Sequence, residues 1–74
     1  MIDLKFSYTN ANGKRITKEY NTIMDFIDFV DLGEISSTIL YGFDVVAEFF
    51  ENPLLSKRFK TVDQLYSHCI AITA

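Results

Sequence analysis

The sequence predicts an α+β fold: two ββα units whose hairpins form one largely antiparallel four-stranded sheet, with two helices packed on a single face. Three observations carry this expectation. The first residues alternate apolar with polar, as a strand with one buried face does. The period then lengthens to three and four, as on a helix with one apolar side. The same order returns 39 residues later, where "KRFKTVDQLYSH" lies over "KEYNTIMDFIDF".

In the first strand Ile2, Leu4, Phe6 and Tyr8 alternate with Asp3, Lys5 and Ser7, so the former group is expected to face the core. The turn "NANG" fixes the partner strand. A two-residue loop on Asn12 and Gly13 would set Phe6 opposite Glu19 and Tyr8 opposite Thr17, polar against core. A three-residue loop of Ala11, Asn12 and Gly13 pairs Tyr8 with Ile16, Phe6 with Lys18 and Leu4 with Tyr20, which brings the apolar sets together. That loop needs a residue in the left-handed region, and Gly13 takes it without steric cost. The glycine is therefore a turn residue. A phosphate cradle would add a second glycine and a helix start, and neither follows it.

Ile23, Phe26, Ile27 and Val30 then place a helix over about 22–31, with Thr22 and Asp25 as a capping box built on the shorter acid and Gly33 as the closing residue. In the second unit Thr61 and Gln64 form the capping box, and Val62, Leu65, Tyr66, Cys69 and Ile70 form the stripe of a helix over about 62–72. The repeat overlays Leu4, Phe6 and Tyr8 on Phe43, Val45 and Ala47. It makes "ENPL", with Pro53, the second turn and "LSKRF" the fourth strand. The segment "DVVAEFFE" also fits one helical side through Val45, Val46, Phe49 and Phe50. Repeat parity and its β-branched and aromatic composition favour a strand. Residues 34–42 carry no clear period, apart from a possible short strand at Thr38–Tyr41.

At 74 residues the chain is expected to be one domain, and a chain this small buries only about 60% of its unfolded surface. With 49% hydrophobic and 15% aromatic residues, a core forms without metal or disulfide. Cys69 is the single cysteine, no apolar run approaches a membrane span, and the first residues lack a signal-peptide pattern. A soluble, cytoplasmic protein is the expectation. Such short acidic α+β chains suit bacterial or phage genomes.

The chemistry-bearing candidates are few. His68 and Cys69 are neighbours, but adjacent helical residues diverge by about 100°, and Cys69 falls in the core stripe, where a thiol is a small hydrophobe. One His and one Cys fall short of a zinc set. The pairs Asp25/Asp28 and Asp44/Glu48 lack the apolar enclosure that tunes a carboxyl for acid–base work. No phosphate-binding or nucleophile motif is present. No catalytic residue, metal, cofactor or small-molecule substrate is predicted, and the chain is not expected to be an enzyme.

Charge is segregated along the chain, whose net charge is −3. All seven basic residues lie outside residues 19–56, and that span holds eight acids. On the first helix Asp25, Asp28 and Asp31 project from the core stripe as an acidic ridge that Glu34 extends. Strand parity makes the outer face of the first hairpin a polar mosaic. On the second it places Asp44, Val46, Glu48 and Phe50 against Leu54, Ser56 and Arg58. Val46, Phe50 and Leu54, with Phe29 on the first helix as a separate candidate, are the expected protein contacts.

The sequence thus predicts a non-enzymatic interaction module that contacts an unidentified protein or itself through the outer face of the second hairpin. Two alternatives stand beside it. The acidic ridge can mimic nucleic-acid phosphate, as a small phage- or mobile-element-encoded inhibitor would. The clusters Lys14/Arg15/Lys18 and Lys57/Arg58/Lys60, which flank aromatics, can bind single-stranded nucleic acid, although the net acidity opposes this.

Overall fold

The computed structural model describes residues 1–32 and 42–74. Among the described residues the elements follow in the order ββαββα: β1 (Leu4–Thr9), β2 (Arg15–Tyr20), α1 (Ile23–Asp31), β3 (Phe43–Phe49), β4 (Lys57–Thr61) and α2 (Val62–Thr73), with a 3₁₀ turn at Pro53–Leu55 between β3 and β4. The sheet is antiparallel throughout and ordered β2-β1-β3-β4, so the first strand of each unit is central and the second forms an edge.

The first hairpin has the register that its apolar residues require. Leu4 pairs with Tyr20, Phe6 with Lys18 and Tyr8 with Ile16. The loop closes through Asn10, whose carbonyl accepts from the Gly13 amide at 3.0 Å and whose side-chain oxygen accepts from the amides of Asn12 and Lys14. Gly13 sits at φ +78°, the left-handed conformation that the following bulge demands. Both helices begin at a threonine cap: Thr22 Oγ1 accepts from the Asp25 amide at 3.0 Å, and Thr61 Oγ1 from the Gln64 amide at 3.3 Å. Each cap satisfies one of the unpaired first-turn donors. The Gln64 side chain reaches back to the Lys60 amide.

Leu4, Phe6 and Tyr8 of β1 and Val45, Ala47 and Phe49 of β3 turn to the helices, where Phe26 and Ile27 of α1 and Val62, Leu65 and Cys69 of α2 complete a single buried cluster. Residues 43–49 form a strand, so the helical reading of that segment is set aside. Parity decides it: Val45, Ala47 and Phe49 are buried while Val46 and Glu48 are more exposed.

Two expectations about strand parity fail, both near strand ends. Phe43 was expected to face inward over Leu4 but is 49% exposed. Between the pairs Ser7–Val46 and Thr9–Phe43, β3 advances by one more residue than β1. This bulge shifts the parity beyond it, and Asp44 within it stands at φ 54°. Ile2 was expected to be inward but precedes β1 and is exposed. The second turn also extends further than the sequence indicated, since Leu55, expected to open the fourth strand, belongs to the 3₁₀ turn with Pro53 and Leu54, and β4 begins at Lys57. Gly33, Glu34 and the suggested strand at 38–41 lie outside the described residues.

Candidate functional site

With α1 and α2 on one side, no element among the described residues covers the other face of the sheet. Its rows can be read across the strands. Glu19, Lys5 and Glu48 stand side by side on β2, β1 and β3, followed by Thr17, Ser7, Val46 and Arg58. Val46 is half-buried, and with Lys5, Ser7, Thr17 and Glu48 it lines a shallow polar depression of about 260 Å³. Its neighbours on this face are hydroxyls and charges.

Phe50 lies in a different setting, at the end of the same face. Asp3 places it there: its amide donates to Tyr20 on β2, its carbonyl accepts from the Phe50 amide at 2.8 Å, and its carboxylate accepts from the Glu51 amide at 2.8 Å. One residue thereby ties the chain end of β3 to that of β2 across the start of β1. Phe50 is left 49% exposed. It lines an open cleft of about 710 Å³ with Met1, Ile2 and the acids Asp3, Glu19 and Glu51, and Lys5 is the basic side chain in the lining. The cleft thus combines apolar side chains with a net negative lining.

Leu54, expected at the end of the "ENPL" turn and on the outer face opposite Phe50, is carried by the 3₁₀ turn. There it is 95% exposed. The turn is well fixed: the Leu55 amide donates to Asn52 and the Ser56 amide to Pro53, each at 3.0 Å, while Ser56 Oγ accepts from the Phe49 amide at 2.9 Å. Phe29 is 42% exposed, but its ring meets Tyr20 edge to face with centroids 5.5 Å apart. It closes the seam between α1 and β2. The contact candidates therefore divide, with Phe50 and Leu54 near one turn, Val46 along the sheet, and Phe29 on the helical side.

Asp25, Asp28 and Asp31 of the acidic ridge are exposed. Asp31 also accepts a hydrogen bond from the Tyr66 hydroxyl of α2. That bond, together with burial, raises the phenol's pKa and links the two helices. The basic clusters lie on opposite edges of the sheet, Arg15 and Lys18 on β2 and Lys57, Arg58 and Lys60 on β4, with Lys14 just before β2. Arg15 is already engaged with Ser7, Thr9 and Asp44. The Lys57 ammonium stands 5.1 Å from the centroid of the Phe59 ring.

His68 and Cys69 do not come together as a reactive pair. Cys69 is fully buried, and burial pushes its thiol up to about 12. A thiol held neutral is a poor nucleophile. The His68 ring lies 5.9 Å from that of Phe49 and 5.2 Å from that of Phe59. Its Nε2 is buried with no hydrogen-bond partner among the described residues. Among those residues no group of three or more His, Cys, Asp or Glu side chains is placed to hold a metal ion, and no helix is long and apolar enough to cross a membrane.

The cleft around Phe50 includes residues that sequence reasoning missed. Ile2 read as core by alternation, and nothing local signals that Asp3 holds the ends of β2 and β3 at once. No family model, no curated protein and no solved structure matches the chain.

Proposed function

We propose that this protein is a non-enzymatic interaction module whose contact surface is the open end of the sheet around Phe50. The observation that carries this reading is the half-exposed Phe50 in a cleft with Met1 and Ile2. It is held there by backbone hydrogen bonds at Asp3 and not by packing into the core. An aromatic side chain fixed at a water-facing cleft is a preorganised anchor: little conformational entropy is lost when a partner covers it. The surrounding acids supply a rim that selects partners by charge. A reducing, cytoplasmic setting accords with a lone cysteine buried as a free thiol.

The test compares immobilised wild-type protein with Phe50→Ser, using chemical cross-linking in cell extract and in purified protein. The reading predicts that species captured by the wild type, whether another protein or the chain itself, are lost with Phe50→Ser while the variant keeps its melting midpoint. Identical capture by the two proteins would overturn it.

A further inference from the structure

We infer that the occupant of the Phe50 cleft is a second copy of this chain, docked about a two-fold axis so that Leu54 of each copy enters the cleft of the other. The inference rests on the reading of the Phe50 face as the contact surface, and it adds the identity of the partner. A two-fold contact requires one patch to be complementary to itself, carrying both a projection and a recess. The β3–β4 connection carries the projection and one wall of the recess.

The projection is Leu54, 95% exposed at the middle of the 3₁₀ turn. Pro53 restricts the backbone at the start of that turn, the amides of Leu55 and Ser56 close it, and Ser56 Oγ ties it to the end of β3. A leucine held in water by a braced turn forgoes all the favourable burial open to it. The recess begins at Phe50 and Glu51, a few residues earlier on the same connection.

Charge identifies which segment fits. Among the described residues the cleft is lined by the carboxylates of Asp3, Glu19 and Glu51 against the ammonium groups of Lys5 and the Met1 N-terminus, so its lining stays net negative and it favours an apolar side chain accompanied by a base. Arg58 supplies that base. It is exposed and pairs with the outward Val46, which sets it on the open face four residues beyond Leu54. A guanidinium forks onto carboxylates more effectively than an ammonium does. In the dimer, Leu54 and Arg58 of one copy meet the apolar lining and the acids of the other, and the exchange is reciprocal.

Sedimentation equilibrium of the full chain from micromolar to millimolar concentration tests this, with Leu54→Asp, Arg58→Glu and the double variant Glu19→Arg/Glu51→Arg measured beside the wild type. All of these positions are exposed, and unchanged melting midpoints establish that the variants fold. The wild type is expected to show a monomer–dimer equilibrium, and Leu54→Asp to weaken it by roughly thirtyfold or more, as loss of a central anchor does. Arg58→Glu and Glu19→Arg/Glu51→Arg are each expected to be monomeric alone, and to form a heterodimer when mixed because the reversed charges then face one another. A wild type that stays monomeric throughout, a Leu54→Asp variant as dimeric as the wild type, or no heterodimer on mixing would overturn the inference. A monomeric wild type that still captures another protein through Phe50 would leave the interaction reading standing; capture indifferent to Phe50→Ser would remove that reading itself.

Discussion

Arg15 on one edge strand reaches across β1 to Asp44 on β3: its guanidinium donates to the Asp44 carbonyl and lies 3.5 Å from the Asp44 carboxylate. It also donates to Thr9 Oγ1 at 3.1 Å and to Ser7 Oγ at 2.9 Å. The contact braces the first hairpin against the bulge of the second, where Asp44 holds a positive φ that aspartate tolerates better than most residues. Arg15→Ala is expected to cost about 1 kcal/mol, since several charge-assisted bonds are lost but the site is partly exposed. Arg15→Lys recovers only part of this, because an ammonium lacks the fork that spans separate acceptors. Urea denaturation measures both, and an Arg15→Ala midpoint equal to that of the wild type would refute the bracing role.

Gly13 stands at φ +78° with no heavy atom near the position a Cβ would occupy. Any penalty there is one of backbone conformation, not of collision. Gly13→Val is expected to destabilise the fold by roughly 1 kcal/mol or more, as a β-branched residue is forced into the left-handed region. Gly13→Asn should lose less, because asparagine enters that region more readily. Equal melting midpoints for valine and asparagine at this position would contradict the turn as described.

His68 is expected to make the stability of the fold sensitive to acid. Burial first, and the nearby charge of Lys57 second, lower its pKa below 6.5, and the buried Nε2 has no acceptor among the described residues to stabilise a proton. A depressed folded-state value means that the unfolded chain binds the proton more readily. Stability from this group is therefore complete above 6.5 and falls as the pH drops through the folded-state value. His68→Phe, placed between Phe49 and Phe59, is expected to flatten the slope of stability against pH just below 6.5. Chemical denaturation at closely spaced pH values decides it, and a slope identical in the variant would assign the acid sensitivity to other groups.

The acidic ridge yields a separate expectation. Asp28 is exposed and, unlike Asp25 and Asp31, lies neither in the first turn of α1 nor against Tyr66. Asp28→Asn is expected to change stability by less than about 0.5 kcal/mol. If the ridge mimics phosphate, the same change weakens capture of a basic partner at low salt and loses its effect as salt rises. Binding unchanged at every ionic strength would mean that the ridge is only a solvated helix face.

The parts of this fold that were legible in the sequence are those that local rules govern. The first hairpin's register follows from matching Leu4, Phe6 and Tyr8 to Ile16 and Tyr20 through a loop that only a residue such as Gly13 can close. The threonine caps announce both helices, and the repeat indicates that residues 43–49 are a strand although their spacing also suits a helix. What was not legible depends on distant partners. The bulge at Asp44 is braced by Arg15 from another hairpin, and it turns Phe43 outward against the parity of the repeat. Ile2 continues the alternation of β1 in sequence, yet it lies beyond the last core layer, where Asp3 has begun to bond the chain ends of β2 and β3. Phe50 was legible as an outward residue. Its cleft was not, because it is assembled from three chain segments.

The functional account depends most on Phe50 being a contact residue and not a core residue. The direct measurement is the solution mass of Phe50→Ser across concentration, with its thermal midpoint recorded on the same samples. The account predicts a midpoint close to that of the wild type and loss of self-association or of partner capture, since removing an aromatic anchor commonly costs an interface about 2 kcal/mol or more. A midpoint lowered by the several kcal/mol that a core cavity and a buried hydroxyl impose, or a fold, an assembly state and the capture of other proteins all unchanged, would contradict it.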